Sequence, residues 1–301
     1  MKSNRLPRFK RAPSVAALHL TERDREIIRL VHRHRFLRSS QIIALLSGSP
    51  QQLLRRLKLL YHHGYLERPR AQIDYYHLGG SRHIVYGLGN KGGRLLKEEL
   101  GAGFRDVSWG EKNRAVGRMF FEHALLVSEI MVKLELACRK RGIRLLTEEV
   151  LRSGQIRQSF RWRVNLKGAT KLGIIPDRVF ALEFQNAAGM RERSYFFLEA
   201  DRGTMPVKRR HLSQTSFYRK LLAYVATWDQ KLHQSLFDFH RFRVLAVTKS
   251  SARVQSLVEV CTELDHGHGL FLFADQTILS GDILSAVWQT GKPGVTGRML
   301  G

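Results

Sequence analysis

The chain has 301 residues, with 51 Lys and Arg against 26 Asp and Glu, a formal net charge of +25. That length holds two domains with full cores, and that charge favours a polyanionic partner, either nucleic acid or an anionic membrane surface. No apolar run approaches the roughly twenty residues needed to span a bilayer, so no membrane is expected and nucleic acid is the better polyanion.

Residues 1–17 carry Lys2, Arg5, Arg8, Lys10 and Arg11 with no acid among them. They read as a basic disordered arm, touching phosphates or merely solvated, and the lack of an apolar segment behind them argues against a secretory signal. Cys138 and Cys261 are few and far apart, which suits a reducing cytoplasm, the expected compartment.

Residues 18–100 read as a winged helix-turn-helix domain. Thr21 can cap a first helix whose apolar set includes Ile27, Ile28, Leu30 and Val31, and Ser39 or Ser40 can cap a short second one over 41–46. For the third, Ser49 is the cap, Pro50 suits the first position and Gly64 the stop. Leu53, Leu57 and Leu60 fall on one stripe at 100° per residue, while Gln51, Gln52, Arg55, Arg56, Lys58, His62 and His63 occupy the opposite face with almost no carboxylate. Leu59 interrupts that face, to meet either a thymine methyl or a second domain. Short β-prone runs at 65–68 and 83–88, joined by a loop with Arg70 and Arg82, read as a wing.

Gly87, Gly89 and Gly92 spell the GxGxxG of a dinucleotide site, but no parallel βαβ crossover follows. They read instead as a glycine-rich exit from the wing. A helix over 91–100 packs behind it, and 101–112 reads as the interdomain linker.

Residues 113–288 read as an α/β domain with a mixed sheet, and 289–301 as a flexible tail. The expected order is a long helix at 113–141 with His123 inside its apolar stripe, strands at 143–151, 160–166, 178–184 and 194–201, and a helix at 207–233. A strand at 242–248, a helix at 252–264 and a strand at 270–274 complete it.

Pro176 and Asp177 open one of these strands, and Glu199 and Asp201 close the next. Residues two apart in a strand share a face, so the two acids project together, and Asp177 joins them if the strands are neighbours. Three carboxylates of that kind are candidate catalytic groups and ligands for Mg2+ or Mn2+, whereas DNA binding by itself needs no cofactor. The alternative is that they pair with Arg178 and Arg202.

Residues 113–248 resemble the PD-(D/E)xK nuclease fold, with Pro176 and Asp177 matching the first half of the motif and Glu199 the second acid. Asp201 stands where that motif has lysine, and Lys208 and Lys220 of the following helix are the candidates to replace it. Lys220, Leu221 and Tyr224 look like the KLxxY pattern that follows a nuclease-like sheet. Taken whole, the chain resembles the replication-relaxation family of plasmids and other mobile elements. The resemblance is carried by TERDREIIRLVHRHRFLRSSQI, YGLGNKG, His123, PDRVFAL, FFLEADRGT and KLLAY in that order.

The resemblance implies a DNA-binding protein acting in replication, relaxation or mobilisation of an element's DNA. Its expected partners are double-stranded DNA and replication or mobilisation proteins, with a homodimer left open. Gln52, Arg55, Arg56, Lys58, His62 and His63 would face the major groove, and Arg68, Arg70 and Arg82 the phosphates. Two alternatives stand beside it: a metal-dependent endonuclease or nickase using Asp177, Glu199, Asp201 and Lys220, and a transcriptional repressor that does not cleave.

Overall fold

The computed structural model describes residues 8–13, 17–73, 83–101, 107–153, 159–166, 170–186 and 188–300. It is a mixed α/β structure, and its contacts divide it into two compact units, Met1–Val132 and Lys133–Gly301.

The first unit opens with helix α1 (Glu22–His34), where Thr21 and Asp24 form a reciprocal capping box. Strand β1 (Phe36–Arg38) follows and leads directly into α2 (Ser39–Leu45), so the cap position falls on Arg38 and neither Ser39 nor Ser40 caps. Helix α3 (Pro50–His62) has Ser49 at its cap position without a side-chain bond, and the chain leaves it through Gly64 at φ +84°. Strand β2 (Leu66–Glu67) and strand β3 (Val85–Leu88) pair antiparallel, and β1 pairs with the other edge of β3. The third strand was not expected from the sequence, because three residues with one polar position show no usable alternation. The loop joining β2 to β3, including Gly79, Gly80 and Arg82, lies outside the described residues after Ile73.

Helix α4 (Asn90–Leu100) and the short α5 (Trp109–Arg114) come next, then α6 (Arg118–Arg141). The long helix therefore starts later than the sequence implied, and Phe120, placed on its apolar stripe, is 52% exposed. Phe121 takes the inward position and packs with Phe36, Val85, Ala124 and Leu125. Those contacts, with buried Asn113 bonded to the Leu88 carbonyl at 2.7 Å, carry the first unit past the 101–112 segment and into α6.

In the second unit, β4 (Arg144–Thr147) gives way to α7 (Glu148–Ser153), where a single strand over 143–151 was expected. Glu148 and Glu149 occupy a first helical turn, where carboxylates are favoured. A separate hairpin, β5 (Trp162–Asn165) with β6 (Lys171–Ile174), precedes β7 (Arg178–Gln185) and β8 (Arg191–Asp201). The expected single helix over 207–233 is two, α8 (Phe217–Asp229) and α9 (Leu232–Phe237), separated where Lys231 turns left-handed at φ +50°. Strand β9 (Phe242–Thr248), α10 (Ser251–Cys261) and β10 (Phe271–Asp275) follow the expected order. Beyond them β11 (Trp288–Thr290) and β12 (Thr296–Gly297) extend the sheet, so the segment expected as a loose tail is paired, with Met299 buried.

The resulting seven-stranded sheet has the order β12-β11-β10-β9-β8-β7-β4. β4, β7 and β8 alternate antiparallel, whereas β8, β9 and β10 run parallel. Residues 196–201 of β8 are all buried, the pattern of a central strand covered on both faces. This places the ends of β8 and the start of β7 beside each other, with Asp177 N–H donating to the Leu198 carbonyl at 3.0 Å.

Candidate functional site

Two sets of polar side chains meet the description of a site, one in each unit. The first is the outer face of α3. Leu53, Leu57 and Leu60 are buried as the spacing demands, and Gln51, Gln52, Leu54 and Arg55 are exposed. Arg55 makes no hydrogen bond or ion pair with any described residue, and Lys58 is half-buried. Arg70 is exposed where the chain leaves β2, and buried Gln72 fixes that point by bonding both the N–H and the carbonyl of Val85, at 2.8 and 2.9 Å.

Two residues expected on that face, Arg56 and His62, and one expected at the wing, Arg68, are engaged within the unit instead. Arg56 donates from Nε to Asp24 at 2.8 Å and from a second nitrogen to the other oxygen of the same carboxylate, and Asp24 is fully buried. Burial pushes the Asp24 carboxyl up, but Arg56 and the Thr21 amide and hydroxyl hold it below its ordinary value. His62 is buried, and its Nδ1 accepts the Ala12 N–H at 3.1 Å. Burial first, then the charges of Arg68, Lys58 and Arg11, pull His62 down to about 4, so it is neutral near pH 7. Arg68 is 8% exposed, lies 4.1 Å from the Tyr61 ring centre and donates to the Tyr86 hydroxyl at 3.1 Å. Arg56 lies on the side of α3 toward α1 and His62 on its last turn, while Arg68 follows β2; at each the residue pattern alone gives equal weight to solvent and to a neighbouring element. His63 is half-buried, and Arg82 lies outside the described residues.

Part of the expected basic arm is likewise tied down. Arg11 donates to the Tyr61 carbonyl at 3.0 Å and to Glu67 at 2.6 Å. The glycine motif also has a packing role. A Cβ on Gly89 would stand 2.3 Å from the Gly64 carbonyl oxygen, and one on Gly92 would stand 2.3 Å from that of Tyr65. The Gly89 and Lys91 amides already donate to Tyr65 and Gly64, so the start of α4 is occupied by the chain itself and offers no phosphate cradle.

The second set is the group of acids in the other unit. Asp177 accepts the Ala200 N–H at 2.7 Å, which fixes it beside the end of β8. Glu199 is 2% exposed and receives Lys220 Nζ at 2.5 Å and the Tyr224 hydroxyl at 2.6 Å. Burial raises the Glu199 carboxyl above its ordinary range against the pull of Lys220. Burial works against the Lys220 ammonium too, yet Glu199 and Asp177 hold it above its ordinary value. Tyr224 is pushed well up, by burial and by Glu199.

Asp201 belongs to a different network. It accepts from Arg253 Nε at 2.9 Å, from the Thr248 hydroxyl at 2.9 Å and from the Gly203 N–H at 3.0 Å. Neither Arg253 nor Thr248 was marked by the sequence reading. Thr248 is the register partner of Asp201 on β9, and Arg253 follows the Ser250 cap of α10, 52 positions from the acid it meets. Lys208 pairs with Glu263 and is not at the acids. The expectation that Asp177, Glu199 and Asp201 converge on one ion is corrected accordingly: among the described residues no three His, Cys, Asp or Glu side chains come together to hold a metal. Each of the two strand-end acids has a cation of its own, Lys220 for Glu199 and Arg253 for Asp201.

Among the described residues no helix is long and apolar enough to cross a membrane. A sequence model of the family described as replication-relaxation matches residues 28–238. No curated protein and no solved structure matches the chain.

Proposed function

Because the chain belongs to the replication-relaxation family, we propose that it is a DNA-binding protein of a plasmid or other mobile element, reading duplex DNA through a winged helix formed by its first unit. In this reading α3 enters the major groove with Gln51, Gln52 and Arg55, Lys58 supports it, and Arg70 meets phosphate from the root of the wing. The observation that carries the reading is the exposed, cation-bearing face of α3 in a stretch with no carboxylate between Glu26 and Glu67. Leu54, 45% exposed on the same face, suits contact with a thymine methyl. The test is binding of duplex DNA across a salt titration: affinity must fall steeply with salt, Arg70→Ala must shallow that slope by about one phosphate contact, and Arg55→Ala must weaken binding by about 1–3 kcal/mol. An affinity indifferent to both salt and Arg55 removes α3 from the account.

A nickase is the second reading, favoured by the succession of β4, β7 and β8, then α8, then β9 within the large sheet and by Lys220 meeting Glu199 beside Asp177. Mg2+ or Mn2+ does not fit the acids as they stand, since Arg253 and Thr248 take Asp201 and Lys220 and Tyr224 take Glu199. No step through a metal is therefore derived, and the unit is read as contributing contacts without cleavage. Supercoiled DNA incubated with either ion should stay supercoiled. Conversion to nicked circle by the wild type and not by Asp177→Ala would replace this reading with the nickase.

A further inference from the structure

Strand β8 carries polar chemistry at both of its ends. At its last residues stand the acids. At its first residues, together with the start of β9, a cavity of about 610 Å³ opens, lined by Arg193, Arg241 and Arg243 and by Tyr195, Trp228 and Phe242. From Arg193 to Asp201 an extended strand rises roughly 26 Å at 3.3 Å per residue, so the cavity and the acid cluster are separate places.

The three guanidinium groups differ in what they already hold. Arg193 donates to Glu183 at 2.7 Å, and Arg243 gives one nitrogen to the Arg298 carbonyl at 2.6 Å. Arg241 is exposed and has no hydrogen-bond or ion-pair partner among the described residues. Of the residues lining the cavity three are arginines and one, Glu192, is an acid, so the lining itself is net positive; His266, also on the lining, is bonded to Asp229 at 2.7 Å. The aromatic wall is held before any ligand arrives: the Trp228 ring stacks on His233 at 4.8 Å, and Tyr195 on Phe239 at 4.0 Å. Rings fixed in this way lose little freedom on binding.

Cationic forks beside fixed aromatic faces suit a ligand that alternates anions with flat rings, and a cavity of several hundred Å³ takes about one or two nucleotides. A duplex keeps its bases stacked on each other and does not offer them to such a wall. We propose that this cavity binds single-stranded DNA, with a base against the Trp228 and Tyr195 wall and the adjoining phosphates on Arg241 and Arg243. The proposal rests on the DNA-binding reading above and adds to it a second strand class and a second place.

The experiment uses the full chain, fluorescein-labelled dT8 and a labelled duplex of about 20 base pairs, followed by anisotropy at several salt concentrations. Arg241→Ala combined with Arg243→Ala should weaken dT8 binding by about tenfold or more and shallow its salt slope by about 1.4, two phosphates at ~0.7 each, while duplex affinity stays within about twofold. Arg241→Ala alone, at an exposed and unbonded side chain, serves as the variant with no folding cost and should weaken dT8 by about threefold. Unchanged dT8 binding in both variants overturns the proposal. A wild type that binds duplex but not dT8 overturns this inference alone, whereas one that binds neither overturns the DNA-binding reading beneath it.

Discussion

Arg55 and Arg56 are adjacent on α3, one exposed and the other bonded to buried Asp24, which makes their comparison a direct test. Arg56→Ala leaves Asp24 buried at 0% exposure without its bidentate partner. Breaking a fully buried pair costs about 3–5 kcal/mol, and because the Arg56 side chain is 27% exposed, water reaching the vacated space reduces this to roughly 2–4 kcal/mol. At about 2–4 °C per kcal/mol for a unit of this size, Tm should drop by about 5–15 °C. Arg55→Ala should move stability by no more than about 0.5 kcal/mol while weakening duplex binding. Thermal and urea unfolding read the first quantity, and anisotropy on duplex DNA the second. A double variant, Asp24→Ala with Arg56→Ala, should be less destabilised than the sum of the singles, because no charge is then left stranded. An Arg56→Ala variant that unfolds like wild type while losing DNA would make Arg56 a DNA contact and give Asp24 another means of support.

Three further outcomes follow from the same geometry. His62, held near 4 in the folded chain and at about 6.5 when unfolded, contributes stability that is complete above pH 6.5 and is lost as the pH falls toward 4. His62→Asn, which keeps an acceptor for the Ala12 N–H, should remove roughly 1–3 kcal/mol of the stability difference between pH 7 and pH 4.5, and an unaltered pH profile would show that His62 titrates normally. Gly89→Ala drives a Cβ against the backbone of Gly64 and should lower stability by about 2 kcal/mol or more; a variant melting within a degree of wild type would mean that the two segments separate without cost. Lys220→Met strands Glu199 without its cation, so the loss of stability should be about 3 kcal/mol at pH 8 and visibly smaller at pH 5, where the carboxyl can take a proton. Equal losses at the two pH values would indicate that the pair is not a buried ion pair.

The sequence by itself determined the first three helices of the first unit, the central strands of the second and the charge, because each depends on neighbours a few positions away. Thr21 capping α1, Gly64 ending α3, and the uninterrupted apolar runs of β7 to β9 are of this kind. It also drew Asp177, Glu199, Lys220 and Tyr224 to attention, through strand ends and a short helical pattern, and the fold brings Lys220 and Tyr224 onto Glu199. Only the tertiary structure decided which charged groups are spent internally. Arg56 finds Asp24 across 32 positions, Arg253 finds Asp201 across 52, and Arg11 finds Glu67 across 56. The periodicity of a helix or strand states which face a side chain occupies, but whether that face meets water or a carboxylate from elsewhere is settled by packing, and in a chain with this excess of basic residues that choice separates a solvent-facing cation from an internal ion pair.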